Sequence, residues 1–253
     1  MKTLARALLV ATMLVVSVPG TADASHAWGP YHWARTSNPF TVVLVDGVSA
    51  EWDAYLSQAS SDWSRSRVLD TTISSSSVNV RSCKPPKGQV SVCSAAYGNN
   101  GWLGLATISV SGTHITSGSV KVNDTYYASG SRYDTAAWRA LVMCQEIGHT
   151  FGLDHQDEDF DNANLGTCMD FTDEPGTNQH PNRHDFQQLE TIYDHLDAST
   201  TLASAEGPDG PGKGRGGHRW GRAVRFDTDG EPTVFVRELR GGGTIVRFVI
   251  WAR

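Results

Sequence analysis

The apolar positions of this chain fall into runs of two periods, and each run predicts an element. Residues 40–45 (FTVVLV) are nearly continuous and β-branched, as in a buried strand, and stop at an Asp46-Gly47 turn. Trp52, Leu56, Ala59 and Trp63 then recur at helical spacing, predicting a core helix with Ser49 as its N-cap. Short strands follow at 78–80 and 90–92, then a longer one at 103–110 (LGLATISV), a loop at 111–113 and a strand near 119–122. Asp134 is the expected N-cap of a second helix that puts Ala137, Leu141, Cys144 and Gly148 on one face and Gln145 and His149 on another. Phe186, Leu189, Ile192, Tyr193 and Leu196 give a third helix its apolar side. Residues 198–218 are rich in Gly, Pro and Ser, as a linker is. Beyond them 223–226, 233–239 and 244–251 alternate around Asp229-Gly230 and a triple-glycine turn, which predicts a three-stranded antiparallel meander. The fold class is α+β, with strands and helices mixed along the chain and a small β extension at its end.

The first 24 residues change the address. Lys2 and Arg6 precede an apolar run at 7–18 that is too short to anchor in a bilayer, and Ala22-Asp23-Ala24 is a small-x-small cleavage site. This predicts a secretory signal peptide at 1–24, a main domain at 25–197, a linker at 198–218 and an extension at 219–253. The whole chain has a formal charge of −6; the leader carries a net +1, so its removal leaves −7. That balance excludes nucleic acid as an expected partner. The segment from 198 on holds three more basic than acidic residues, so the main domain carries −10. No later stretch is long and apolar enough to anchor in a membrane, and a monomer is expected.

Four cysteines, Cys83, Cys93, Cys144 and Cys168, in an exported chain predict two disulfides, with three pairings open. The preferred set is Cys83–Cys93 across a Pro-rich loop and Cys144–Cys168, because the second would join the residue before Gln145 to the residue before Met169.

The candidate chemistry lies at 144–155, CQEIGHTFGLDH. Residues four apart share a helix face, so Gln145 and His149 can point at one metal ion with Glu146 beside them as general base. Gly152 can take a positive φ and turn the chain so that His155 returns as a third ligand. Three ligands in a catalytic zinc site leave a position for a water whose pKa the metal lowers to about 7. A bare pair of histidines on an amphipathic helix would be unremarkable, but Glu146, His149, Gly152, His155 and a downstream Met169 together resemble the metzincin pattern HExxHxxGxxH with its Met-turn. Within that family the chain is similar to the matrixin-like and gametolysin-like secreted proteins, of which the gametolysin group carries Gln at the first position, as Gln145 does here. The resemblance covers about 39–197. It implies a two-subdomain catalytic domain with a mixed twisted sheet, an active-site helix, the Met-turn and a C-terminal helix; a zinc-dependent endopeptidase acting on peptide or protein substrates; and a substrate that adds to residues 103–110 as an edge strand.

The departures matter as much. Gln145 offers a neutral amide oxygen, a weaker donor than imidazole, so copper stands as an alternative to zinc by the Irving–Williams order, and a catalytically weak or inactive binding module stands as the alternative function. Phe171 occupies the place where some relatives put an extra tyrosine ligand. Asp157, Asp159 and Asp161 suggest calcium, but Asn162 and Cys168 stand where an EF-hand needs Gly and Glu, so only a looser calcium site is left. His26, His32, His180 and His184 are expected on surfaces and loops, and Asn123-Asp124-Thr125 is a glycosylation sequon.

Overall fold

The structure is a computed structural model that describes residues 25–203 and 220–253; the leader and most of the linker lie outside it. Its element order is β1 (His32–Trp33), β2 (Phe40–Gly47), α1 (Asp53–Trp63), β3 (Leu69–Ser74), β4 (Val90–Ala95), β5 (Trp102–Ser111), β6 (His114–Asn123), α2 (Ala136–His149), α3 (Arg183–Ile192), β7 (Arg222–Phe226), β8 (Pro232–Glu238) and β9 (Thr244–Trp251). The fold is α+β, with a single mixed sheet in the order β3-β2-β4-β6-β5-β9-β8-β7, and β1 pairing beside β6.

The sequence explains the two halves of this sheet. β2, β3, β4 and β6 are parallel neighbours, and their inner positions, among them Val42, Leu44, Val90, Val92 and Val120, are fully buried under the helices. β5 turns back on β6 through a hairpin, which makes it antiparallel. α1 and α2 pack on each other, with the Trp63 indole N–H donating to the Cys144 carbonyl at 3.1 Å. Thr135, not Asp134, caps α2 by accepting from the Trp138 amide; Asp134 is drawn away to Arg139 at 3.0 Å. α1 likewise starts without a side-chain cap, with Trp52 rather than Ser49 at its N-cap position. At the start of α3, Asn182 and Asp185 form a reciprocal capping box.

The disulfides are Cys83–Cys93 and Cys144–Cys168. The second ties α2 to the turn that holds Met169. That turn is packed close: a Cβ on Gly148 would lie 2.6 Å from the Trp63 ring and 2.7 Å from Met169 Sδ.

Four expectations need correction: residues 78–80 form no strand, and the strand in this part of the chain is β3 at Leu69–Ser74. The strand at 103–110 is not an edge, because β9 pairs with it along the side opposite β6. The reason is legible in β9 itself: TIVRFVIW buries Val246, Phe248, Val249 and Ile250, which alternation on one face cannot satisfy, so it needs an interior place in a sheet. The predicted linker is fixed at its start, where the Thr201 and Ala203 amides donate to the carbonyls of Ala34 and Gly88. Asn123 is fully buried, its amide donating to the carbonyls of Gly98 and Trp102, so the sequon is closed to glycosylation in the folded chain. No helix among the described residues is long and apolar enough to cross a membrane.

Helix propensity alone makes Gly148→Ala stabilising, and the contacts at Gly148 oppose it. We expect the contacts to win by about 1–3 kcal/mol, seen as a lower urea midpoint at unchanged slope. An unchanged or higher midpoint would show that α2 does not sit this close to Trp63 and Met169.

Candidate metal centre

α2 delivers Gln145, Glu146 and His149 one turn apart, all buried. The helix ends at His149, and Gly152 follows with φ +93°, pressed so close to β1's approach that a Cβ there would meet the Tyr31 carbonyl at 2.3 Å. Only glycine makes this bend cheaply. The turn brings the Leu153 carbonyl back to His149 Nδ1 at 2.9 Å and sets His155 against His149.

The two imidazoles meet through their Nε2 atoms, 3.0 Å apart. Each Nδ1 already faces an acceptor: the Leu153 carbonyl for His149, and Glu158 Oε1 at 2.7 Å for His155. A neutral imidazole carries one N–H, and here it is fixed on Nδ1, so two lone pairs are pointed at each other. Burial pushes the His149 pKa well down, and pushes that of His155 down to about 3, so both rings are neutral at physiological pH. A cation between them removes the conflict. Nitrogens on a tetrahedral zinc with arms of about 2.05 Å stand roughly 3.3 Å apart, close to what is found.

The neighbours point the same way. Both amide atoms of Gln145 and both carboxylate oxygens of Glu146 are buried, and apart from the Ala106 backbone beside Glu146 none has a hydrogen-bond partner. Burial pushes the Glu146 pKa well up, opposed by the Ala106 backbone. The carboxylate fits against β5 only because Gly104 is there, where a Cβ would come within 2.5 Å of Glu146 Oε1. Met169 is fully buried beside α2, and its carbonyl accepts from the Gln156 amide next to His155 at 2.6 Å.

The remaining sequence candidates go elsewhere. His180 pairs with Asp62 at 2.6 Å, and His184 stacks on His26, so neither approaches His155. Phe171 packs its ring 4.3 Å from that of His155. Asp157 and Asp159 each accept the backbone amide two residues on, and the three acidic residues of that loop do not converge as a ligand set. His26 and His32 are buried rather than on the surface, and His26 is held by Asp185 at 3.1 Å.

Three strands alone are marginal, so docking of the C-terminal strands on the main domain is expected from sequence; that they cover this centre is not. Phe248 of β9 lies parallel to the His149 ring at 4.3 Å. Arg225 of β7 reaches Asp154 at 2.7 Å, and Thr233 of β8 donates to the same Glu158 oxygen that holds His155. All three C-terminal strands therefore touch the centre or its supports, and His149 and His155 are only 1% and 3% exposed.

No family model matches the chain, and no curated protein matches it. Among solved structures it is similar to myroilysin, at 11% identity and a TM-score of 0.40 over 67% of this chain and 98% of that one. It is also similar to high choriolytic enzyme 1, a hatching-enzyme zinc protease of the medaka Oryzias latipes, at 12% identity and a TM-score of 0.36 over 64% of this chain and 94% of that one.

If Gln145 faces the same point as His149, then Gln145→His adds a third imidazole on the same helical face. Zinc affinity, measured by competition with a chelating dye, should rise by at least about tenfold. Equal affinity in parent and variant would place the Gln145 amide away from the ion.

Proposed function

We propose that the chain is a secreted, zinc-dependent endopeptidase held closed by its own C-terminal strands. The observation that carries this is the convergence of two protonless histidine nitrogens beside a buried carboxylate, on a helix packed under an extended strand. His149 and His155 would hold the ion, with Gln145 as a weak third donor. When bound, zinc would polarise the scissile carbonyl and lower the pKa of water.

The chain's own residues account for the rest. Glu146, raised by burial, takes a proton from the attacking water and passes it to the leaving amine; apolar surroundings keep that proton exchange away from bulk solvent. Glu158 fixes the His155 ring through Nδ1, and the Leu153 carbonyl does the same for His149. Met169 and the Cys144–Cys168 bond hold the floor of the site. β5 is the strand on which an extended peptide would lie, and β9 occupies that place in antiparallel register from Trp102 to Val110. Two disulfides fit an oxidising, extracellular address.

The inactive binding module is favoured by one feature, the substitution of Gln145 for a stronger ligand. Two variants separate the readings. Val249→Pro interrupts β9 in mid-strand, and should raise chelator-sensitive hydrolysis of a peptide library by at least about tenfold over the parent. Adding Glu146→Ala to it should leave zinc content unchanged and cut hydrolysis by about a hundredfold or more. A zinc-loaded Val249→Pro protein that cleaves no peptide would favour the binding module.

A further inference from the structure

We propose a second metal site, built from His32, His195 and Asp197 with His114 beside them, that takes one zinc-class ion and is separate from the centre on α2. The four residues come from three parts of the chain. His32 lies on β1 and His114 at the start of β6, and the parallel ladder between those strands makes them direct partners. His195 and Asp197 follow α3, where the Asp197 amide donates to the Arg35 carbonyl two residues past β1.

The ligand atoms of His32, His195 and Asp197 lie within 4.8 Å of one another, and His114 meets the carboxylate. His114 Nε2 is 3.2 Å and His32 Nε2 3.4 Å from Asp197 Oδ1. His195 Nε2 is 3.3 Å from His32 Nε2 and 3.9 Å from the same carboxylate oxygen. The edge of a tetrahedron with zinc–ligand arms of about 2.05 Å is roughly 3.3 Å. The His32 ring lies nearly perpendicular to those of His114 and His195, at 85° and 83°, which aims the nitrogens inward without stacking the rings.

The hydrogen bonds around the cluster say what should fill it. His32 Nδ1 faces the Pro30 carbonyl at 2.8 Å, and His195 Nδ1 faces Asp194 Oδ1 at 3.1 Å. Both protons are therefore held on Nδ1, and both Nε2 lone pairs converge with Asp197 Oδ1, where His114 Nε2 at 3.2 Å is the neighbour that can offer a proton. This is the outer arrangement that orients histidines toward a metal, a carbonyl behind one ring and a carboxylate behind the other. Protons added to His32 or His195 would make imidazolium cations beside Arg35, which is itself 1% exposed and ion-paired to Asp197 Oδ2 at 3.0 Å. That ion pair turns Oδ1 toward the three histidines. Nitrogen-rich donors with one carboxylate select a zinc-class ion over calcium or magnesium. The ion would pin β1 to the chain after α3, with His114 of the β5–β6 hairpin held against the same carboxylate.

The test is metal stoichiometry by elemental analysis of the signal-free full chain, equilibrated with Zn²⁺ and desalted. The parent should hold two zinc ions, His149→Ala/His155→Ala one, and His114→Ala/His195→Ala one. The last pair is chosen because those side chains are 37% and 49% exposed, so their loss opens no buried void. Asp197→Asn serves as a second variant that keeps the residue's shape. Co²⁺ loaded into His149→Ala/His155→Ala should give the intense visible bands of a tetrahedral ion, absent once His114 and His195 are also removed. A His149→Ala/His155→Ala protein that binds no zinc, or a His114→Ala/His195→Ala protein that binds as much as the parent, overturns the second site. A parent holding one ion, lost with His114 and His195 but kept without His149 and His155, would uphold it and sink the α2 centre instead, so the two readings fail separately.

Discussion

Everything at the centre depends on two imidazole lone pairs that the fold forces to face each other. His149 is fixed by the end of α2 and by the Leu153 carbonyl, and His155 by Glu158, so neither ring can turn away. The bend at Gly152 is what allows this, since a side chain there would strike the Tyr31 carbonyl. A chain that assembles such an opposition in a buried place loses stability unless a cation fills it, and that loss is why geometry speaks for a metal more strongly than the motif does. Gln145, with both amide atoms buried and unpartnered, would enter such a centre only as a neutral donor weaker than imidazole.

The second constraint is the apolar character of β9. A strand with Val246, Phe248, Val249 and Ile250 all buried cannot end a sheet against water, and the side of β5 away from β6 offers it a ten-residue partner. Its arrival closes the face that an extended peptide would use. Charge favours the same docking: the extension is basic, the main domain acidic, and Arg225 finds Asp154 one residue before His155. Thr233 then shares Glu158 with His155, so the cover and the ligand are linked through one carboxylate.

What the sequence made legible was whatever repeats locally. The strands at β2 and β4, the core helix from Trp52 to Trp63, the α2 motif and the three C-terminal strands follow from periodicity, turn residues or spacing within about a dozen positions, whereas β3, whose alternation is broken by Asp70 and two threonines, does not. What stayed hidden needs contacts across the fold. His32, His114 and His195 are separated by 82 and 81 positions, and only the β1–β6 register and the return of the chain after α3 bring them together. Caps were misassigned for a local reason, because adjacent Asp134 and Thr135 can both cap, and Arg139 claims the first. The burial of β9 was readable in principle from TIVRFVIW, whose apolar run is too continuous for one face of a free-standing meander.

The depth of that burial also decides how the centre could open. Fully burying an aliphatic or aromatic side chain is worth roughly 1.5–3 kcal/mol, so the four buried residues of β9 hold the extension by something on the order of 5–10 kcal/mol before any ladder hydrogen bond is counted. Spontaneous release against such a cost would populate the open form at well under one molecule in a thousand. A small effector binding elsewhere would need a correspondingly large difference in affinity between the two forms. Replacement differs from release: a strand of similar apolar character that pairs with β5 regains the ladder and much of the burial, so the net cost is only the difference between two strands. Opening by exchange, helped by a cut that makes the leaving strand a separate molecule, is therefore the route the energetics favour over simple breathing of the sheet.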